Sequence, residues 1–244
     1  MNLVIDIGNT QTKAALFDGG EIVETIFAQS FDSFELKKLK ESYPRINQAI
    51  LSSVADIDED LIVSLENECK YFLKFNHQTP VPIGNLYESK STLGLDRLAA
   101  AVGGSTLFPE EELMIIDAGT AITYDLIDKC NNFLGGNISP GLKMRFKALH
   151  KFTSKLPEVI SQENWPEYGK NTEEAIRAGV QQGMILEIDG TISQIHERWP
   201  GCKVLLTGGD SLFFEKKLKN TIFVKFELTL IGLNRILEFN ATNS

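Results

Sequence analysis

Cysteine is scarce in this sequence, which contains only Cys69, Cys130 and Cys202 at widely separated positions. An odd and scattered set is typical of neither a disulfide framework nor a paired-cysteine metal site, and it fits a reducing cytoplasm best. Long apolar runs are also absent: the uncharged stretches are shorter than the roughly 20 residues of a membrane span, or are broken by glycine and proline. The amino terminus has neither the basic region nor the apolar core of a signal peptide. We therefore expect a cytoplasmic protein with no membrane partner.

Positive charge is in deficit, because 24 Lys and Arg residues face 33 Asp and Glu residues, which gives a formal net charge of −9. This charge opposes sequence-independent binding to nucleic acid and to anionic bilayers. An anionic ligand must then be held by local groups, such as backbone N–H donors, metal ions or a few cations. We expect no nucleic-acid partner.

Several common motifs of nucleotide-binding and hydrolytic enzymes are missing. The sequence has no Gly-x-x-x-x-Gly-Lys-Ser/Thr loop, no Gly-x-Gly-x-x-Gly and no Gly-x-Ser-x-Gly. It therefore supports neither a P-loop nor a serine-hydrolase interpretation. The three histidines, His77, His150 and His196, fit no His-Glu-x-x-His pattern, so a zinc site is not expected.

What the sequence does contain is an internal repeat. Residues 4–10 read Val-Ile-Asp-Ile-Gly-Asn-Thr and residues 115–121 read Ile-Ile-Asp-Ala-Gly-Thr-Ala, which places Asp6 and Asp117 at equivalent positions. In each copy an apolar run ends in Asp, passes through Gly and Thr, and is followed by a second strand-like run. This pattern predicts a β-hairpin in each copy.

A repeat at a distance of nearly half the chain indicates two similar α/β halves rather than a solenoid of short units. The length of 244 residues and the 43% content of apolar residues are sufficient for both. We place the halves at residues 1–109 and 110–244. Outside the hairpins, the apolar spacing predicts helices at 34–41, 56–68, 142–152, 172–199 and 228–239 and strands at 22–27, 46–54, 71–75, 204–206 and 222–224.

The first hairpin turn, at residues 6–13, has the residue types that bind phosphate. Gly8 lets the backbone come close to an anion, and Lys13 can neutralise charge. Asp6 can orient a magnesium ion that bridges phosphate oxygens. One such turn alone is more typical of an ordinary hairpin, because Gly, Asn and Asp are common hairpin residues. The second copy favours phosphate binding.

Three further segments could contribute to the same chemistry. Residues 117–120 are followed by Thr123 and Asp125, which adds oxygen ligands suited to a hard cation or a phosphate. Residues 207–210, Thr-Gly-Gly-Asp, follow an apolar strand, and their glycines would let a ring or a sugar lie against the backbone. Residues 135–142 form a glycine-rich approach to a helix, where N–H groups could face an anion. A plain connecting loop is an equally good interpretation of that segment.

These motifs together resemble the superfamily of acetate kinase, sugar kinases, Hsp70 and actin. The ordered motifs at residues 94–97, 117–120, 135–142 and 207–210 are similar to those of type III pantothenate kinases, and the resemblance runs from Asp6 to Gly232. It implies two ribonuclease H-like (actin-like) α/β domains, each a mixed sheet with helices, and an active site in the cleft between them. The activity it implies is transfer of the ATP γ-phosphate to the primary hydroxyl of pantothenate. The product would be 4'-phosphopantothenate, from the first step of coenzyme A biosynthesis.

The resemblance also implies roles for individual residues. Asp96 would be the catalytic base, Asp117 would hold a monovalent cation (potassium or ammonium), and Asp6 would act through magnesium–ATP. A homodimer is implied as well. The implied ATP contacts are Asp6, Ile7, Gly8, Asn9, Thr10, Gln11, Thr12, Lys13 and Thr120, and the implied pantothenate contacts are Tyr87, Gly94, Leu95, Asp96, Arg97 and Thr172.

Some of these positions have simpler interpretations. Asp96 and Arg97 are also typical of an ion pair at the start of a helix, where Asp interacts favourably with the helix dipole. Tyr87 is also typical of an aromatic side chain that only packs against its neighbours. Thr172 could be the N-cap of the helix that follows. The resemblance implies that Arg97 binds the carboxylate of pantothenate and does not form such an ion pair.

Two other functions remain open from the sequence. One is a different small-molecule kinase or a phosphatase on the same fold, against which the motif at residues 94–97 argues. The other is a non-catalytic regulator that uses the nucleotide site as a sensor. The joint presence of Asp6, Asp96 and Asp117 favours an enzyme, and the lack of a helix-turn-helix or a basic stripe argues against DNA contact.

Overall fold

The computed structural model describes residues 1–8, 11–53 and 57–242. The chain forms two compact units, of which the second is Glu110–Phe226. The first unit contains Met1–Pro109 together with the segment that begins at Glu227. The predicted halves were 1–109 and 110–244, so the structure places the carboxyl-terminal segment in the other unit from the predicted one.

The first unit is built on a mixed five-stranded sheet with the strand order β3-β2-β1-β4-β5. Strands β1 and β2 are antiparallel, as are β2 and β3, whereas β4 runs parallel to β1 and β5 runs parallel to β4. The predicted first hairpin is therefore present. The strands are β1 (Asn2–Ile7), β2 (Thr12–Asp18), β3 (Glu21–Ala28), β4 (Gln48–Ser53) and β5 (Tyr71–Lys74).

Two helices, α1 (Ser33–Ser42) and α2 (Glu59–Glu68), contribute to the core on one face of this sheet, where alternate strand residues such as Leu3 and Ile5 are buried. The Oδ1 atom of Asp32 accepts hydrogen bonds from the backbone N–H groups of Phe34 and Glu35, at 2.9 and 3.0 Å, and so fixes the start of α1. Helix α2 begins later than predicted, because Asp58 is extended and caps it. Part of the predicted span 46–54, Val54, lies outside the described residues.

The other two long elements of this unit are the helices α3 (Leu95–Leu107) and α7 (Leu228–Thr242). A two-residue strand, β6 (Gly84–Asn85), comes before α3 in the chain. The two helices cross so closely that a Cβ on Gly232 would collide with the carbonyl oxygen of Ala99. The Nδ2 group of Asn2 also donates to Oδ1 of Asn234 at 2.8 Å. These contacts explain why α7 belongs to the first unit.

The second unit repeats the sheet of the first. Its strands β7 (Leu113–Ala118), β8 (Ala121–Ile127), β9 (Asn132–Pro140), β10 (Lys203–Thr207) and β11 (Phe223–Val224) lie in the order β11-β10-β7-β8-β9. The first three form antiparallel pairs, and β10 runs parallel to β7 and β11 runs parallel to β10. The strand β7 therefore corresponds to β1. The sequence repeat is thus also a repeat of topology.

Strand β9 corrects the interpretation of residues 135–142, which were expected to be a glycine-rich approach to a helix. Residues up to Pro140 form a strand paired with β8 rather than a loop, and they lead into helix α4 at Leu142. Gly136 is required there because a Cβ would collide with the carbonyl oxygen of Tyr124.

The helices of the second unit are α4 (Leu142–Lys151), α5 (Thr172–Arg198) and the short α6 (Ser211–Glu215). Helix α5 is 27 residues long and buries an apolar stripe that includes Met184, Ile188 and Ile192. Across the part of the chain that the structure describes, no helix has the length and apolar character needed to cross a membrane.

Candidate active site

Asp6 lies near the end of β1, between two polar neighbours. Its partner on β2 is Lys13, and its partner on the parallel strand β4 is Ser52. The pKa of Asp6 is raised from 3.8 to about 6, chiefly because the carboxyl is buried. The charge of Lys13 opposes this shift, the charge of Asp96 adds to it, and a hydrogen bond from Ser52 opposes it. The Ser52 side chain is only 1% exposed. No sequence pattern points to Ser52, because only the register of β1 and β4 brings it to Asp6.

The environment of Asp6 suits a hard cation. A carboxylate whose charge is disfavoured by burial is stabilised by a positive ion, and Asp oxygens are ligands that magnesium prefers. Among the described residues, no group of three or more His, Cys, Asp and Glu side chains could hold a metal ion. Asp6 could therefore supply one carboxylate ligand to a magnesium ion.

Gly8 and Gln11 lie close to each other after Asp6. The N–H of Gly8 donates to the carbonyl oxygen of Gln11 at 3.1 Å, and a Cβ on Gly8 would lie 3.1 Å from the same oxygen. Thr12 is 2% exposed, because alternation puts it on the face of β2 that packs in the core with Ala14. Its burial argues against its hydroxyl as the group that makes the implied ATP contact. The predicted ATP contacts Asn9 and Thr10 lie outside the described residues.

The predicted pantothenate motif forms the start of α3. Asp96 is exposed in the first turn, and its Oδ1 accepts a hydrogen bond from the backbone N–H of Arg97 at 2.8 Å. A Cβ on Gly94 would lie 2.5 Å from that oxygen. Gly94 therefore leaves the space that the Asp96 carboxylate occupies, while Leu95 is the first residue of the helix.

Arg97 and Tyr87 pack against each other beside this helix start. Arg97 is 7% exposed, and the carbon of its guanidinium lies 5.7 Å from the centroid of the Tyr87 ring. The backbone N–H of Tyr87 donates to Oδ1 of Asn85 at 3.0 Å. The structure therefore brings Tyr87 and residues 94–97 together, and the packing role of Tyr87 is compatible with a binding role.

Thr172 lies in the other unit, as the first residue of α5. The N-cap of that helix is Asn171, whose Oδ1 accepts from the backbone N–H of Glu174 at 2.9 Å. The interpretation of Thr172 as the N-cap is therefore wrong by one residue. Thr172 itself is exposed.

Asp117 occupies in the second unit the position that Asp6 has in the first. It lies near the end of β7, paired with Thr123 of β8 and Thr207 of β10. Gly208 has a φ of +94°, and a Cβ there would collide with Oδ1 of Asp117. The backbone N–H of Asp210 donates to the carbonyl oxygen of Ala118 at 2.9 Å. The motif at residues 207–210 therefore wraps around the end of β7.

The turn of the second hairpin is also tightly enclosed. The N–H of Gly119 donates to the carbonyl oxygen of Ala121 at 3.0 Å, and the N–H of Gly141 donates to that of Thr120 at 3.1 Å. Thr120 remains exposed. Asp125, expected as a further oxygen ligand, is 1% exposed, so its carboxylate is not an accessible ligand.

Lys143 is a cation that the sequence analysis did not single out. It lies in the first turn of α4. Burial raises the pKa of Asp210, and the positive charge of Lys143 lowers it. A basic side chain therefore lies near the loop at residues 207–210, in a chain whose overall charge is negative. No local sequence pattern distinguishes this lysine from others on exposed helix turns.

Comparison with known proteins decides the family. The family model described as type III pantothenate kinase matches residues 2–194. The chain belongs to this family. The type III pantothenate kinase of Phocaeicola vulgatus is 47% identical over 241 residues, which are 98% of this chain and 99% of that protein. The predicted family is confirmed, and with it an ATP-dependent kinase of the first step of coenzyme A biosynthesis.

Two solved structures share the fold of this chain. A Campylobacter jejuni protein described as a Baf family transcriptional activator has a TM-score of 0.62 and 22% identity, over 98% of this chain and 99% of that one. A ROK family glucokinase from Streptomyces griseus, solved with glucose and AMPPNP, has a TM-score of 0.51 and 10% identity, over 98% and 99%. The predicted fold class, two similar α/β units that each contain a mixed sheet with helices, is confirmed.

Proposed function

We propose that this chain transfers the γ-phosphate of ATP to the primary hydroxyl of pantothenate and releases 4'-phosphopantothenate, with Asp96 as the base. The observation that carries this proposal is the placement of Asp96 in the first turn of α3, close enough to Asp6 for its charge to raise the pKa of that carboxyl. One carboxylate would accept the proton of the substrate hydroxyl, and the other would lie on the phosphate side.

The chemical step needs a base only late in the reaction. The hydroxyl loses its proton as it meets the γ-phosphorus, and an exposed carboxylate within hydrogen-bond reach can accept that proton. Aspartate is a weak base, so positioning and charge neutralisation supply most of the rate. Gly94 and the backbone N–H of Arg97 hold the Asp96 carboxylate in place.

Pantothenate carries a carboxylate, and Arg97 is the cation that we assign to it. Its guanidinium is largely buried against Tyr87, which favours one orientation and a paired hydrogen bond to a carboxylate. Leu95 and the exposed Thr172 complete the proposed pantothenate contacts.

The ATP phosphates are assigned to the first hairpin, through the backbone around Gly8 and the charge of Lys13, and to Thr120 of the second. Magnesium bound with ATP would be held by Asp6 and would neutralise phosphate charge there. A monovalent cation, potassium or ammonium, is assigned to Asp117. The oxygen chemistry of this strand end fits such an ion, and the net charge of −9 makes a local cation useful beside a triphosphate.

A homodimer in the cytoplasm completes the proposal. Ile138, Met144 and Leu186 of the second unit are 64%, 42% and 59% exposed, and a second copy that covered them would remove apolar surface from water. Three free cysteines, two of them buried, support a reducing compartment. Sedimentation of wild type and of Leu186→Asp tests the dimer; a monomeric wild type at micromolar concentration would refute it.

The test of the proposed reaction is product analysis with purified protein. ATP and pantothenate are incubated with either potassium or sodium as the only monovalent cation, and 4'-phosphopantothenate is detected by mass spectrometry. We expect potassium-dependent product. ATP hydrolysis without that product would point to a different acceptor, and nucleotide binding without turnover would support the sensor function.

A further inference from the structure

An ion pair joins helices α4 and α5 of the second unit beside the end of β9. The Nη2 atom of Arg145 lies 2.6 Å from Oε2 of Glu187, and the two side chains are 22% and 31% exposed. Tyr124, on β8, is 4% exposed and donates its hydroxyl to Oε1 of Glu187 at 3.0 Å. Burial and then the charge of Glu187 raise the pKa of Tyr124, so this hydroxyl remains a donor. Each oxygen of the Glu187 carboxylate therefore has its own donor.

Arg145 also holds the chain that leads into its own helix. Its Nε donates to the carbonyl oxygen of Pro140 at 2.8 Å, and its Nη2 donates to Oγ of Ser139 at 2.9 Å. Its backbone N–H donates to the carbonyl oxygen of Gly141 at 3.0 Å. The planar guanidinium thus contacts the last two residues of β9 and Glu187 at once, an arrangement that the single ammonium of lysine does not reproduce.

The residues held by Arg145 form one wall of the second hairpin turn. Pro140 is paired with Ala121, and the N–H of Gly141 donates to the carbonyl oxygen of Thr120 at 3.1 Å. A Cβ on Gly141 would collide with the carbonyl oxygens of Gly119 and Thr120. Because this packing leaves no space, a shift of residues 139–141 must move the turn as well.

We propose that Arg145 is a positioning residue for the hairpin at residues 117–120, which it fixes through Pro140 and Gly141 while Glu187 and Tyr124 orient its guanidinium. An ion pair that served only stability would be worth little at a partly exposed site. Here the guanidinium donates to the carbonyl oxygen of Pro140 and to the hydroxyl of Ser139, and both residues lie next to the turn. The inference rests on the proposed function, because it takes this hairpin as an ATP contact.

Steady-state kinetics separate positioning from general stability. Arg145→Met keeps much of the side-chain volume and removes the guanidinium. We expect the KM for ATP to rise about fivefold or more, with the KM for pantothenate changed by less than about twofold. Arg145→Lys should recover part of the loss, because it keeps one charged donor for Glu187. Lys203→Met is the matched control: Lys203 pairs with Glu111 at the far end of β10 from Thr207, so both KM values should stay near those of wild type.

Amide hydrogen exchange of the nucleotide-free enzyme tests the same inference without turnover. Arg145→Met should speed exchange of the Gly119 and Gly141 amides about tenfold, whereas Lys203→Met should not. Unchanged exchange at these amides, or an equal rise of both KM values, would overturn the inference. Failure of the wild type to phosphorylate pantothenate would refute the proposed function alone, because the exchange experiment still decides the role of Arg145.

Discussion

Ser52 and Asp6 face each other across the parallel strands β1 and β4, and the buried Ser52 side chain forms a hydrogen bond with the Asp6 carboxyl. This hydrogen bond lowers the pKa of Asp6 and so favours the ionised form that a magnesium–ATP complex needs. Ser52 therefore supports the carboxylate that we assign to magnesium–ATP, in addition to filling the core.

Replacement of Ser52 should weaken nucleotide binding. In Ser52→Ala the carboxylate loses a donor, and we expect the KM for magnesium–ATP to rise by about three- to tenfold, as for the loss of one hydrogen bond to a charged group. The KM for pantothenate should hardly change. Ser64→Ala, on helix α2, is the control, because the Ser64 hydroxyl donates only to the carbonyl oxygen of Asp60 in its own helix. Identical ATP kinetics in both variants would refute the supporting role of Ser52.

Asp6 itself should reduce the stability of the nucleotide-free enzyme. Burial raises its pKa from 3.8 to about 6. The free energy of unfolding is therefore highest below about pH 4, where the carboxyl is neutral, and it falls as the pH rises through 6 and the buried carboxyl ionises. Asp6→Asn removes the buried charge. It should therefore be more stable than wild type above pH 6, by about 1–3 kcal/mol, while it loses kinase activity. The measurement is urea unfolding of both proteins from pH 4 to 8, and an Asp6→Asn variant less stable than wild type at pH 7.5 would contradict the account.

The crossing of α3 and α7 leads to a prediction about glycine. In Gly232→Ala the new methyl group would collide with the carbonyl oxygen of Ala99, so the helices must separate, at a cost of about 1–3 kcal/mol or more. The start of α3 carries Asp96, so kcat should fall as well. Gly190→Ala, in helix α5, has open space at its Cβ and should be neutral or stabilising by up to about 1 kcal/mol. Thermal unfolding of the two variants distinguishes these effects, and equal melting temperatures would exclude the proposed clash.

The features that could be predicted from the sequence are those encoded locally. The hairpins at Asp6 and Asp117 have an apolar run, a carboxylate and a small turn within about ten residues, so the pattern itself indicates the structure. The start of α1 could be predicted for the same reason, because Asp32 is the N-cap directly before the helix.

The features that were missed depend on long-range packing. Helix α7 joins the first unit because Gly232 fits against the backbone of α3, and no local pattern records that contact. Residues 135–140 have the composition of a loop, but pairing with β8 makes them a strand; tertiary context overrides the weak β-propensity of glycine. Ser52 and Lys143 become candidate site residues only through the register of β4 and the start of α4.

The most direct measurement of the central claim is the rate of 4'-phosphopantothenate formation by Asp96→Asn at saturating ATP and pantothenate. The substitution keeps the size of the side chain and removes its ability to accept a proton. The account predicts a fall in kcat of about 10²–10⁴-fold, with the melting temperature and the Kd for a non-hydrolysable ATP analogue close to those of wild type. Turnover near the wild-type rate would contradict the assignment of Asp96 as the base.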